Sequence, residues 1–167
     1  QYPYIIREEI QPTTSGDILA SSGLLSGADL IINQTGKEYR LKEALSTIEN
    51  LYDFAIIDTP PALGVLTVNA LTACNGAIIP AQADIYSLQG INQLSTTIGT
   101  VRRYCNRDLR ILGILLTRYN ARAVISREVS ETVEQVAKGL KTKLYNTKIR
   151  ECTAIKEAQA SRQDIYT

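Results

Sequence analysis

At 167 residues with 44% hydrophobic side chains, the chain is long enough for one domain that removes roughly two-thirds of its surface from water. Its 18 basic and 17 acidic residues leave a formal charge of +1, so no polyanion partner follows from the total and any nucleic-acid surface must be local. The absence of histidine excludes Ser-His-Asp and Cys-His chemistry and imidazole metal ligands, while Cys74, Cys105 and Cys152 are an odd number at wide spacings, against a disulfide framework or a zinc site.

No apolar stretch approaches the roughly 20 residues that span a bilayer, and no signal-peptide pattern opens the chain, so a soluble, cytoplasmic protein is expected. A chain that begins at Gln1 and contains no methionine reads as a fragment. Residues 1 to 36 mix turn residues (Pro12, Ser15, Gly16, Gly23, Gly27, Gly36) with short apolar pieces, of which "ADLIIN" suggests a strand. From Glu38 the pattern sharpens. "EYRLKEALSTIENL" places Leu41, Ala44, Leu45, Ile48 and Leu51 at three- and four-residue spacing, which predicts an amphipathic helix.

Four apolar runs then alternate with helical segments: "FAIIDT" (54–59), "GAIIPAQA" (76–83), "LRILGILLTRY" (109–119) and "TKLYNTKI" (142–149). The first three are too continuously apolar for a strand with one wet face and are expected to be neighbouring, buried, parallel strands. Between them "VLTVNALTAC", "SLQGINQLSTTIGTVRRYC" and "REVSETVEQVAKGL" carry helical periodicity. The alternation predicts right-handed βαβ units in an α/β, doubly wound, mostly parallel sheet, within a single partial domain over residues 1–167.

The first strand would end on Asp58, and in an open parallel sheet ligands bind beyond the carboxyl ends of the strands. Asp58 therefore either faces a ligand or caps the helix that follows. Pro60 and Pro61 fix two φ angles and remove two donors, leaving a stiff loop able to hold a carboxylate at a set distance from a phosphate.

"YDFAIIDTPPALGVLTVNALTA" resembles the second nucleotide-dependent motif of the ParA-type (Soj-like) partition ATPases, the P-loop family with a deviant Walker A sequence. The likeness runs on through "EYRLKEAL", "IIPAQADIYSLQGINQL" and "ILGILLTRYNAR" and covers about residues 37–160. It implies a P-loop NTPase fold and an ATP hydrolase that works with Mg²⁺. In that reading Asp58 is the catalytic acid of Walker B type, holding the metal through water and helping to position the attacking water, Thr59, Pro60, Pro61 and Gly64 belong to a switch-like loop, and the family's separate aspartate after the second strand is expected to be missing with the first βαβ unit. Gln82, Ala83, Asp84 and Tyr86 fall near the nucleotide and the dimer interface, and Thr117, Arg118, Ile149 and Arg150 fall where the family encloses adenine.

The resemblance further implies an ATP-dependent homodimer that binds DNA nonspecifically on the bacterial nucleoid and answers to a centromere-binding partner of ParB type, with no membrane partner. Two departures stand out. None of the ten glycines opens a G-x-x-x-x-G-K-[ST] or KGG-type loop, so the first βαβ unit with its phosphate-binding loop is expected to be missing and the chain as given inactive. Where the family reads Ile-Pro-Arg-Asn and then a basic residue ahead of Ser-Glu-Ala, this chain reads "IRECTAIKEA", which loses the proline and puts Ala154 at the basic position. Lys156 or Arg150 is left to supply that charge.

Seven arginines and one acid, Asp108, lie between Arg102 and Arg127. Such a cluster either binds phosphate backbones or solvates a helix end. Arg102, Arg103 and Arg107 suit the second reading. Arg122 occupies the family's "DAR" position, associated there with DNA. Cys74 is expected to be a small buried apolar residue, and Glu128, Glu131 and Glu134 a solvated helix face. Two other functions stand beside the partition ATPase: a non-enzymatic regulatory or interaction module, and a membrane-associated relative that positions division machinery.

Overall fold

In a computed structural model of the chain, residues 6–28 and 34–165 are described. Most of the strand read in "ADLIIN" falls on residues 29–33, outside them. The chain divides into two compact units, one made of Gln1–Asn75 and Thr97–Leu109, the other of Gly76–Thr96 and Arg110–Thr167.

The first unit opens with an antiparallel hairpin that the sequence reading did not foresee, β1 (Ile10–Thr13) and β2 (Gly16–Leu19), joined through Thr14 and Ser15. Gly16 closes the turn at φ 136°, a backbone setting that side chains disfavour. The helix expected from Glu38 forms in pieces. A single turn over Lys37–Tyr39 leads into α1 (Arg40–Ser46), and after Thr47 and Ile48 a second turn covers Glu49–Leu51. Helix α2 (Val65–Ala73) buries Val65, Thr67, Asn69, Ala70, Leu71 and Thr72.

Asn69 ties these helices together: its Oδ1 accepts the Leu41 N–H at 3.1 Å, and its Nδ2 donates to the carbonyls of Lys37 and Val65, both at 2.9 Å. Three bonds satisfy the polar atoms of this one buried amide and tie α2 to the first turn of α1 and the segment before it. Asn106 works in the same way at the other end of α2, donating to the carbonyls of Leu71 and Cys74. Cys74 ends α2 half-buried, not fully buried.

The expected strand "FAIIDT" is corrected by the structure. Residues 52–64 contain no helix or strand, and Phe54 and Ile56 are 89% and 96% exposed. A strand exists through its ladder, and among the described residues nothing pairs with this segment, so its apolar side chains find no sheet face to bury against.

In the second unit β3 (Gly76–Gln82) and β4 (Arg110–Thr117) pair in parallel, from Gly76↔Arg110 to Gln82↔Thr117, with one irregularity between Ala77 and Ile78. The fourth expected strand is realised as an irregular continuation. Residues 143–150 flank β4 through the parallel bridges Ile114↔Leu144 and Tyr119↔Arg150, with the Ile114, Tyr145 and Ile149 amides donating to Lys143, Ile114 and Leu116 carbonyls at 2.9 Å each. Ile79, Ala81, Ile114 and Leu116 are buried in this parallel sheet, but the expectation of strands covered on both faces is corrected: β3 alternates, with Ile78, Pro80 and Gln82 exposed, and Leu112 of β4 is exposed as well.

Helix α3 (Ile85–Tyr104) follows β3, and α4 (Val124–Gly139) follows β4 with Ser126, Val129, Ser130, Val133 and Ala137 buried along one face. Glu128, Glu131 and Glu134 lie on its exposed face as expected, and no group of three acidic or thiol side chains among the described residues is placed to hold a metal. A last helix, α5 (Thr153–Ser161), buries none of its residues and was not foreseen. No described helix is long and apolar enough to cross a membrane.

Candidate functional site

Register places the expected site residues of the second unit together. Gln82 and Thr117 are partners at the carboxyl ends of β3 and β4. Arg118 follows Thr117, and Tyr119 is bridged to Arg150 beside Ile149. This is the edge at which open parallel sheets receive ligands. Ile149 and Arg150 are exposed there, and Thr117 Oγ1 donates to the Ala81 carbonyl at 3.4 Å.

Asp84 has a definite local task. Its Oδ1 accepts the Ser87 N–H at 2.7 Å, capping α3, while Ser87 Oγ accepts the Gln82 N–H at 3.1 Å. The two bonds fix the turn from β3 into α3 and spend the carboxylate on the helix end, where the macrodipole favours it. Gln82 keeps its side-chain amide at the surface, beside half-buried Ala83 and exposed Tyr86. The spacing of Asp84 and Ser87 was the signal for this cap, and the sequence reading passed over it.

Arg118 sits in the left-handed region at φ 49°, and its guanidinium reaches Glu151 Oε1 at 3.2 Å. Lys156 reaches the same oxygen at 3.1 Å. Glu151, which nothing in the sequence singled out, thus joins a residue expected at the nucleotide to one expected at DNA. Hydrogen bonding first from Lys156 and then from Arg118 holds its carboxyl below the usual range. Because the folded value is depressed, these pairs contribute above the unfolded pKa of Glu151 and are lost as pH falls through the folded one. Lys156→Gln is expected to move the Glu151 titration midpoint upward in a carbon-detected NMR pH series, and an unmoved midpoint would remove Lys156 from the pair.

Asp58 belongs to the first unit and is exposed. The cap position of α2 is Gly64, with no side-chain bond, so Asp58 does not cap the helix that follows. The proline loop is anchored at its far end instead: Thr67 Oγ1 donates to the Ala62 carbonyl at 2.6 Å and the Val68 N–H to the Gly64 carbonyl at 3.1 Å. Thr59, Pro60 and Pro61 remain exposed.

Arg102 Nε donates to the Leu109 carbonyl at 2.8 Å and Arg103 lies over the Tyr104 ring at 5.2 Å, both structural uses. Arg122 is exposed in a turn closed by its own N–H on Asn120 Oδ1 at 3.0 Å, and it makes no ion pair with Glu128.

The α/β arrangement with its parallel β3–β4 pair is that of P-loop NTPase structures. Residues 3–111 match a family described as "AAA domain". The chain is 38% identical over 150 residues to the sporulation initiation inhibitor protein Soj of Bacillus subtilis, covering 89% of this chain and 58% of that protein. It is 41% identical over 131 residues to the chromosome partitioning protein ParA of Myxococcus xanthus, covering 77% and 46%. Among solved structures, cobyrinic acid a,c-diamide synthase from Mycobacterium smegmatis with bound ATP analog and magnesium superimposes with a TM-score of 0.73 at 37% identity, over 78% of this chain and 53% of that one. The chain belongs to this AAA domain family, and most of its length is similar to the Soj and ParA proteins. It spans about half the length of the curated relatives it matches.

Proposed function

We propose that the chain is part of the nucleotide-binding domain of a partition ATPase, which hydrolyses ATP with Mg²⁺ and, as an ATP-bound homodimer, binds DNA without sequence preference. The observation that carries this reading is the gathering of Gln82, Thr117, Arg118, Ile149 and Arg150 at the carboxyl ends of β3 and β4. Each unit by itself offers suitable chemistry: in the first, the exposed carboxylate of Asp58 suits a hydrated hard cation, and in the second, guanidinium and backbone groups at the sheet edge suit a nucleoside. Mg²⁺ would supply charge neutralisation on the phosphates. Asp58 would hold its water shell and the attacking water, Thr59, Pro60, Pro61 and Gly64 would answer to the terminal phosphate, and Arg118 and Arg150 would border the base.

Phosphoryl transfer rests on positioning and charge neutralisation, and this sequence contains no G-x-x-x-x-G-K-[ST] loop to cradle phosphates. The 167-residue chain is therefore inactive in our reading, and the complete protein active. Localisation on the nucleoid and a centromere-binding partner of ParB type follow from the same reading.

DNA binding is assigned to Arg122, with Lys156 held in reserve by Glu151. In the complete, ATP-bound protein, Arg122→Ala is expected to weaken binding about equally for unrelated duplexes and to lower the salt slope by roughly one unit, the loss of one phosphate contact. ATP turnover and dimerisation should persist. Titrations of two unrelated duplexes at several salt concentrations check this, and an unchanged slope would take Arg122 off the DNA surface.

A further inference from the structure

In the second unit a concavity of about 490 Å³ opens between the last turns of α4 and residues 142–148. Glu134, Lys138, Lys143, Tyr145, Asn146 and Lys148 line it. Its three lysines are not equivalent. Lys138 is neutralised by Glu134, one turn earlier on α4, at 3.0 Å. Lys143 and Lys148 have no carboxylate within ion-pair distance among the described residues.

Aromatic faces hold both in place. The Lys148 ammonium stands 4.2 Å from the centre of the Tyr119 ring and donates to Ser130 Oγ at 3.2 Å; the Lys143 ammonium stands 4.9 Å from the centre of the Tyr145 ring. The supports are themselves fixed. Tyr119 is buried and bonded through its N–H to the Ile149 carbonyl, and the Tyr145 N–H is bonded to the Ile114 carbonyl. An ammonium over a ring face gains attraction without losing its charge, so both lysines keep their positive field while much of their rotamer freedom is already spent.

We propose that Lys143 and Lys148 form a phosphate-group site that adjoins the carboxyl-end edge of β3 and β4 at Tyr119 but whose lining includes none of Gln82, Thr117, Arg118, Ile149 and Arg150. Two pre-positioned, uncompensated ammonium groups on one concavity suit a group carrying two or more negative charges, and the volume fits a small phosphorylated ligand. The Asn146 amide offers a further donor at the rim. The phosphate has two sources, a free oligophosphate or a nucleic-acid backbone, and one experiment separates them.

The complete protein and its Lys143→Gln, Lys148→Gln and Lys148→Arg variants are titrated with inorganic tripolyphosphate and, separately, with a mixed-sequence duplex at several salt concentrations. Arg118→Gln serves as the control that reports on the carboxyl-end edge. If the free ligand is the source, each glutamine variant weakens tripolyphosphate binding about tenfold, the expected loss of one charge-assisted contact, while Lys148→Arg retains most of it and Arg118→Gln leaves this component unchanged. If the backbone is the source, each glutamine variant lowers the duplex salt slope by about one unit and tripolyphosphate binding is unaffected. Thermal midpoints of the variants show that the fold persists, and Lys143→Gln, at an exposed side chain, tests the site even where Lys148→Gln disturbs the packing on Tyr119. Glutamine variants that move neither titration overturn the proposal.

Discussion

Replacing Asp58 by alanine in the complete protein is expected to slow ATP turnover by roughly a hundredfold or more while nucleotide affinity changes only severalfold, an effect of the size that follows loss of one pre-organised electrostatic group. The structure separates this residue from any folding role: Asp58 is exposed, does not cap α2, and belongs to a segment with no ladder to disrupt. Its stability cost should therefore stay within about 0.5 kcal/mol, as for an ordinary surface substitution. Steady-state hydrolysis, fluorescent-nucleotide binding and a urea melt on the same preparation distinguish the outcomes. Turnover within threefold of the parent would place the metal elsewhere. A large drop in the urea midpoint would return Asp58 to a structural part.

The readable parts of the fold are those whose sequence pattern depends on burial within the described residues. The β3 and β4 runs announce themselves through the apolar residues they bury, Ile79, Ala81, Ile114 and Leu116, and α4 declares itself through Val129, Val133 and Ala137 at helical spacing. "FAIIDT" has the same apolar continuity, yet continuity reports only that a segment needs covering, and ladder partners are a matter of the rest of the sheet. The β1–β2 hairpin and α5 were missed for the opposite reason: their residues are largely exposed, so neither carries a period of two or of 3.6.

The juxtaposition at the sheet edge was legible where strand ends fix it, as at Gln82 and Thr117, whereas the reading of Asp58 rests on motif order alone. It was illegible where a pair is made across distant segments. No spacing predicts that Glu151 gathers Arg118 and Lys156, or that Lys148 rests on Tyr119, because both follow from residues 143–150 lying along β4. Asp84 shows one residue open to two readings. Its helix cap is a sufficient local reason for an acid there, so its expected part at the nucleotide needs support beyond its position.

The arrangement of residues 143–150 along β4 depends on one absent side chain, and Gly113→Ala is expected to destabilise the complete protein by about 1–3 kcal/mol. A Cβ at Gly113 would stand 2.4 Å from Tyr145 Cε2 and 2.9 Å from two more ring atoms. The backbone at Gly113 is not left-handed, so alanine suits its conformation. Relieved of the clash, the exchange should even help by about 0.5–1 kcal/mol, because glycine loses the most freedom on folding. The ring has limited room to yield. The Tyr145 N–H is fixed to the Ile114 carbonyl and Ile114 is fully buried, so the ring must turn outward, away from β4 and from its contact with Lys143. A double-mutant cycle with Tyr145→Ala isolates the effect: Gly113→Ala should lower the urea midpoint in the parent background and leave it unchanged or raise it once the ring is gone. Equal losses in both backgrounds would show that the close approach to Tyr145 is not what keeps position 113 without a side chain.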